Sequence, residues 1–273
     1  MRISNQKIII CGNYMEIYEF EEVYGYAFEV PSSEVCSVYE MSDVEKEKRK
    51  IENRKKSQHR AGNRIRRLVD SNHERWVDDG GHICTLSFLT LTFAENLSTI
   101  DVANKIFSKF VKRLNYKIFK SKRSELAYLA VIEFQKRGAV HYHCVMFNLP
   151  DKVIKEERKE RLIANVWGHG FVDIKEITET RAVAYYLTNY LKKKYDDERY
   201  DGKKKYFASR NLQKPLFIRN MERILAIRKI CVGTELLYEK TFKSELLGES
   251  IYQKLKLTPE LKARIRDVLN VIR

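Results

Sequence analysis

The segment EFQKRGAVHYH, residues 133–143, is the most informative part of this sequence about the fold. It joins two runs of apolar, β-branched and aromatic residues, 126–134 and 139–147, which are interrupted only by residues 136–138, Lys-Arg-Gly. Strand-forming runs on either side of a short loop that ends in glycine are typical of a β-hairpin, because glycine accepts the left-handed conformation that such a loop requires. The sequence therefore predicts two antiparallel strands joined by a three-residue loop.

A loop of this length also fixes the register of the two strands. It pairs Gln135 with Ala139, and counting outward sets Glu133 opposite His141. Because alternate residues of a strand point to the same face, His143 joins His141 and Glu133 on one side of the sheet. The residues that point the other way are mostly apolar, which predicts that the core lies on that side and that the histidine side is left for chemistry.

Two imidazoles and one carboxylate on a strand face are a candidate metal site. Such nitrogen and oxygen ligands suit Mn²⁺, Mg²⁺ acting through water, or Zn²⁺. The alternative is a pair of surface or hydrogen-bonded core histidines, and Glu133 in register favours the metal. The pattern alone does not choose among the ions; our expectation is Mn²⁺ or Mg²⁺ held by His141, His143 and Glu133.

The composition points to a polyanionic partner. Lys and Arg number 52 against 37 Asp and Glu, a formal charge of +15, and nucleic acid is the partner that this balance favours. There is no Gly-x-x-x-x-Gly-Lys-Ser/Thr loop and no Gly-x-Gly-x-x-Gly turn, so neither an NTPase nor a dinucleotide fold is indicated. The five scattered cysteines, and the lack of a signal peptide or of an apolar run of about 18 residues, predict a cytoplasmic protein without a membrane segment.

Periodicity along the chain predicts the order of the elements. Strand patterns at 83–93, 126–134, 139–147 and 171–177 alternate with helical patterns at 99–115, 152–166 and 180–195. The resulting β-α-β-β-α-β-α order predicts an α+β fold, with a ferredoxin-like or RRM-like antiparallel sheet and helices on one face. The open face would carry the histidines.

A long polar helix is predicted from Ser42 to about Asn72, and it is the strongest basic patch of the sequence. Residues 45–67 contain 11 Lys or Arg and three Glu. One interpretation is a DNA-binding helix, and the other is a solvated helix packed by its few apolar residues. The two are compatible if they apply to opposite faces of the helix. The basic side chains expected to contact DNA are Arg60, Arg64, Arg67 and, further along the chain, Lys194.

A pair of tyrosines marks the last helix of the predicted domain. Tyr186 and Tyr190 are four residues apart, so a helix places them on one face, with Lys193 close to one turn beyond Tyr190. A phenol has a pKa near 10 and attacks phosphorus well only where a cation or a metal stabilises the developing charge. Although most of the 16 tyrosines will be packing or surface residues, this pair is the candidate nucleophile.

Three motifs in this order resemble those of rolling-circle replication initiators of the HUH endonuclease superfamily, the Rep proteins of phages and plasmids. They are Phe-Leu-Thr-Leu-Thr-Phe at 88–93, His-Tyr-His at 141–143 and Tyr-Leu-Lys-Lys at 190–193. Glu133 stands where related initiators place a third metal ligand, and residues 206–215 resemble a segment found downstream in such proteins. The resemblance covers roughly residues 83–215.

This resemblance implies an activity and a set of partners. The protein would nick single-stranded or hairpin origin DNA with a tyrosine, assisted by a divalent metal, and would leave a 5′-phosphotyrosyl link and a 3′-OH. A host polymerase and a host helicase in a bacterial cell would complete replication. Together with the sequence patterns on either side, the resemblance divides the chain into an N-terminal hairpin and basic helix at 1–78, the HUH endonuclease domain at 79–215 and a helical C-terminal extension at 216–273.

One departure from the family pattern separates the two tyrosines. Where relatives with two tyrosines often have lysine three residues after the first, this chain has Asn189 after Tyr186, so Tyr190 with Lys193 is the better nucleophile candidate and Tyr186 a second one. A relaxase or a single-strand transposase would use the same chemistry, and a non-catalytic DNA-binding repressor is the alternative of another class. The sequence does not determine the oligomeric state or the origin.

Overall fold

The computed structural model describes residues 4–24, 42–78, 80–150, 159–177, 184–189, 197–204, 206–244 and 247–272. The chain divides into two compact units: Asp43–Gln213 forms the larger one, and Met1–Ser42 with Lys214–Arg273 forms the smaller one. This division differs from the three segments expected from the sequence. The N-terminal hairpin shares a sheet with strands of the C-terminal segment, whereas the basic helix belongs to the unit that carries the histidines.

The elements are numbered in chain order. The strands are β1 (Ser4–Cys11), β2 (Tyr14–Tyr24), β3 (Leu86–Thr92), β4 (Tyr128–Phe134), β5 (Val140–Met146), β6 (Val172–Ile177), β7 (Tyr206–Ala208), β8 (Leu216–Ile218), β9 (Leu236–Ser244) and β10 (Gly248–Lys256). The helices are α1 (Asp43–Asn72), α2 (Ile100–Phe119), α3 (Lys159–Trp167), α4 (Met221–Ile230) and α5 (Pro259–Val271), with a further helical segment at 184–189. None of the described helices is long and apolar enough to cross a membrane.

The sheet of the larger unit is antiparallel throughout, in the order β6-β3-β5-β4-β7. Because α2 follows β3 and α3 follows β5, the chain has the predicted β-α-β-β-α-β succession, and β7 adds an edge strand. The α+β prediction is confirmed.

The hairpin of β4 and β5 has the register that its loop predicts. Gly138 has φ +92°, and the amide of Gln135 donates to the carbonyl of Ala139 at 2.9 Å. Glu133 accordingly pairs with His141. The loop length and the glycine, both local features, set which residues share a face.

One face of this sheet packs against α2 and α3. Alternate residues of the strands meet the apolar stripe of α2 in a buried core. The ring of Phe107 stacks on that of Tyr142 with centroids 4.4 Å apart, and the fully buried Trp167 closes the end of the core. This face is therefore the hydrophobic core that the sequence predicts opposite the histidines.

The other face, which carries His141 and His143, is called the histidine face below. The sequence suggested that this face is open, but α1 packs against part of it. Ala61, Ile65 and Leu68 of α1 join Val131 and Val145 of the sheet in a second buried core. The 30-residue helix is strongly polar, yet its narrow apolar stripe must be buried somewhere, and the sheet face supplies the surface.

The smaller unit has an antiparallel sheet in the order β8-β1-β2-β10-β9. Ile8, Ile17 and Leu255 of this sheet pack with Ile227 of α4 and Ile265 of α5. The expectation of a helical C-terminal extension holds for α4 and α5 but missed β9 and β10, which form a hairpin within it. Most residues of β9 are exposed on both faces, so the strand lacks the apolar alternation that would have predicted it.

Candidate active site on the histidine face

The candidate site is built from two adjacent rows of paired residues across β3, β5 and β4. In the first row, Thr92 pairs with His141 and His141 pairs with Glu133. In the second row, Thr90 pairs with His143. Since directly paired residues share a face, the two threonines, the two histidines and the carboxylate all lie on the histidine face.

Each imidazole has a threonine hydroxyl at its Nδ1 atom. Oγ1 of Thr92 lies 3.1 Å from Nδ1 of His141, and Oγ1 of Thr90 lies 3.4 Å from Nδ1 of His143. A hydroxyl that accepts a hydrogen bond from Nδ1 leaves Nε2 with its lone pair, which is the atom that a metal would need. The alternating threonines of β3 thus orient both rings.

Glu133 is already in contact with one of the histidines. Its Oε2 atom lies 2.9 Å from Nε2 of His143, and the ring centroids of His141 and His143 are 4.7 Å apart. Both histidines are buried, with 8% and 5% of their surface exposed. Burial, followed by the neighbouring His143, lowers the pKa of His141 to about 4, so this imidazole is neutral and able to act as a ligand at pH 7.

The fit of a metal can be judged from these donors. Two ligand atoms bound at about 2.1 Å to one ion in tetrahedral or octahedral geometry are about 3 Å apart, which is close to the distance between Nε2 of His143 and Oε2 of Glu133. Two neutral imidazoles and a carboxylate suit Mn²⁺ or Zn²⁺. Within the described ranges, however, no three His, Cys, Asp or Glu side chains are grouped as a metal-binding cluster, so a metal requires His141 and Glu133 to adjust.

The end of β3 next to the site is held by the turn at Gly168-His169-Gly170. The amide of Ala94 donates to the carbonyl of His169 at 2.8 Å, and the indole of Trp167 donates to the carbonyl of Thr92 at 3.1 Å. Gly170 has φ +146°, and a Cβ atom there would lie 2.5 Å from the amide nitrogen of Ala94 and closer still to the carbonyl oxygen of Thr92. Only glycine allows this close approach.

The predicted nucleophiles are only partly described. Tyr186 lies in the helical segment at 184–189, which buries Ala184 and Leu187 and leaves Tyr186 56% exposed. Its ring contacts that of Tyr185, 6.4 Å away between centroids. Tyr190, Lys193 and Lys194 lie outside the described residues, and the structure does not bring Tyr186 into contact with the histidines.

The predicted DNA-binding residues of α1 differ in their surroundings. Arg60 and Arg64 are exposed and line a groove with Lys204 and Tyr206, whereas Arg67 is half-buried and has interaction partners. Sequence reasoning did not single out Lys204 or Tyr206.

Three further residues on the histidine face were not singled out from the sequence. The first two are Thr90 and Thr92, which contact the histidines; the third, Asp173 of β6, pairs with Thr90, forms an ion pair with Lys175 at 3.5 Å and has no contact with either histidine among the described hydrogen bonds and ion pairs. The alternation of threonines within 88–93 was a signal for the first two, but assigning them to the histidines required knowing that β3 lies next to β5.

The fold and the site define an α+β protein with a candidate metal-binding histidine pair on one face of an antiparallel sheet. Residues 86–195 match a family model whose description is that of a replication-associated protein of the ORF2 type. The matched segment includes both histidines, Glu133 and both candidate tyrosines, and it supports a replication-associated protein, in agreement with the three motifs.

Other comparisons add little. No curated protein matches the chain. A solved structure described as a candidate chlorite dismutase is 12% identical over 70% of this chain and 88% of its own, with a TM-score of 0.21. A likeness at that score carries no argument about fold or function.

Proposed function

We propose that the protein is a replication initiator that nicks single-stranded origin DNA with a tyrosine nucleophile and a divalent metal, in rolling-circle replication. The observation that carries the proposal is the arrangement of Thr92, His141 and Glu133 in one row of the sheet, with Thr90 and His143 in the next. A pair of surface histidines would not need buried rings with a hydroxyl at each Nδ1 and a carboxylate at one Nε2.

His141, His143 and Glu133 would hold the metal. When bound, a divalent ion supplies positive charge that polarises the scissile phosphate. The N–H at Nε2 of His143 donates a hydrogen bond to Oε2 of Glu133. A hydroxyl can donate as well as accept, so Thr90 suits either tautomer of the ring. The tautomer with the proton on Nδ1 would leave Nε2 of His143 able to bind the metal.

The tyrosine forms the covalent bond. Its phenolic oxygen attacks the phosphorus atom in line, the bond from phosphorus to the 3′-oxygen breaks, and a 5′-phosphotyrosyl ester and a 3′-oxygen result. The phenol loses its proton to water and the 3′-oxygen takes one from water, so no net proton is gained or lost. Tyr190, with Lys193 to stabilise the charge on the phosphate, is the first candidate, and Tyr186 is the second.

The phosphotyrosyl ester determines the partners of the reaction. Because the ester retains the energy of the broken bond, a later 3′-OH can attack it and rejoin the strand. Meanwhile the free 3′-OH is a primer for a host polymerase, and a host helicase would separate the strands, since the sequence has no NTPase loop.

A cleavage assay tests the proposal. End-labelled single-stranded DNA from the replicon of the protein is incubated with Mn²⁺ or with a chelator, and the proposal predicts a metal-dependent product with a free 3′-OH and a protein-blocked 5′ end. His141→Ala and His143→Ala should abolish cleavage and retain DNA binding, while Asp173→Asn, a matched change on the same face, should cleave. DNA binding without cleavage in the wild type would instead favour a non-catalytic repressor.

A further inference from the structure

A groove lies between α1 and the edge strand β7 of the larger unit, and it is called the α1–β7 groove below. It has a volume of about 500 Å³, and its described lining consists of Ser57, Arg60, Ala61, Arg64, Lys204 and Tyr206. The four residues from α1 are spaced by three and four positions, so they form one face of the helix. Three of the six lining residues are cations and none is acidic.

The cations of this groove differ from four other cations of α1. Lys46, Lys50 and Lys56 form ion pairs with carboxylates of their own helix, at 3.2, 3.3 and 2.6 Å. The buried Arg54 is paired with Asp201 at 2.5 Å. By contrast, in the part of the chain that the structure describes, Arg60, Arg64 and Lys204 form no ion pair. Four cations in the first half of α1 are therefore paired with carboxylates, whereas the three described cations of the groove are not.

The groove lies beside the candidate active site. Tyr206 pairs with Val131 of β4, and Val131 pairs with His143 of β5, so Tyr206 occupies the same row and the same face as His143. Neighbouring strands are about 4.8 Å apart, which puts the Cα atoms of Tyr206 and His143 roughly 10 Å from each other. A phosphodiester chain that occupied the groove would reach the histidines over a short span.

We propose that the α1–β7 groove binds consecutive phosphates of single-stranded DNA and leads the strand from the edge of the sheet to the histidine pair. Guanidinium groups and an ammonium group bind phosphates without regard to sequence, and an aromatic ring such as that of Tyr206 can stack on an unpaired base. The inference rests on the proposed function, since it names where that reaction holds its substrate.

The test is the salt dependence of DNA binding by the full-length chain. The probe is a single-stranded oligonucleotide of mixed sequence, with a chelator present so that no cleavage occurs. The groove variant combines Arg60→Ala, Arg64→Ala and Lys204→Ala, all at exposed positions. The matched control combines Lys46→Ala, Lys50→Ala and Lys56→Ala, which removes the same charge from ion-paired positions of α1.

The proposal predicts that the slope of log K against log salt falls by about two units in the groove variant, because each phosphate contact to a single strand contributes about 0.7. The control should change the slope by much less. If the slope changed equally in both variants, or in neither, the proposal that the groove binds DNA would be wrong. A duplex that binds more tightly than the single strand and responds equally to the groove variant would overturn the single-strand assignment.

The two proposals can fail separately. If the wild type cleaved DNA in a metal-dependent way but the salt slope of the groove variant were unchanged, the nicking proposal would stand and the groove proposal would be wrong. If the salt slope fell in the groove variant but the wild type cleaved no replicon DNA, the groove proposal would stand and the nicking proposal would be wrong.

Discussion

Thr92 and His141 face each other across β3 and β5, and the hydroxyl oxygen of the threonine lies 3.1 Å from Nδ1 of the imidazole. This contact orients the ring, with Nδ1 toward the threonine and Nε2 on the opposite side, where a ligand would bind. In metal sites, partners of this kind typically change metal affinity by 10- to 100-fold when they are removed.

We therefore expect Thr92→Val to weaken the binding of Mn²⁺ by about tenfold or more. Valine keeps the shape and the strand preference but cannot hydrogen-bond to Nδ1. Thr90→Val should have a smaller effect, because its contact to His143 is longer, at 3.4 Å. Calorimetric titration with Mn²⁺ measures the affinity of each variant. Thr92→Ser, which keeps the hydroxyl, should bind Mn²⁺ about as tightly as the wild type. Wild-type affinity in Thr92→Val would show that the hydroxyl has no part in orienting the ring.

A second prediction concerns Gly170, where a Cβ atom would collide with the backbone at the end of β3. We expect Gly170→Ala to destabilise the protein by about 2 kcal/mol or more, since both the φ angle and the close approach exclude a side chain. Gly168→Ala is the matched control: its φ is +66° and its nearest new contact is 3.8 Å away, so the loss should be about 1 kcal/mol. Denaturant unfolding measures both. An equal loss in the two variants would contradict the crowding argument.

A third prediction concerns the stability of the metal-free protein at low pH. The pKa of His141 is about 4 in the folded state, below the ordinary value of 6.5. The folded state therefore favours the neutral ring, and stability present above pH 6.5 falls as the pH decreases toward 4. The loss from this residue should be about 3 kcal/mol. Urea unfolding with a chelator, in wild type and His141→Gln, measures it. If the free energy of unfolding of the two proteins fell equally with decreasing pH, His141 would not cause the loss of stability.

The strand pairing that local sequence determines was predicted correctly. The register of Glu133 with His141 follows from one loop, because its length and Gly138 fix the pairing within the hairpin. The threonines could not be assigned to the histidines in the same way, since Thr92 and His141 meet only through the pairing of strands that α2 and β4 separate in sequence.

The position of α1 also could not be predicted. Ile65 and Leu68 showed that the helix packs against something, but a stripe of apolar residues does not say which surface it covers. That surface is the histidine face, which brings Arg60 and Arg64 close to the edge strand that carries Tyr206. The α1–β7 groove therefore depends on a long-range contact, and sequence patterns report mainly on local structure.

The most direct test of the central claim is to map the covalent adduct. The wild-type protein is incubated with Mn²⁺ and single-stranded DNA from its replicon, denatured, digested and analysed by mass spectrometry, alongside Tyr190→Phe and Tyr186→Phe. We expect a DNA-linked peptide that contains Tyr190 or Tyr186 and that is lost when that tyrosine is replaced by phenylalanine. Cleavage without any tyrosine adduct, or an adduct that survives in a variant lacking both hydroxyls, would contradict it.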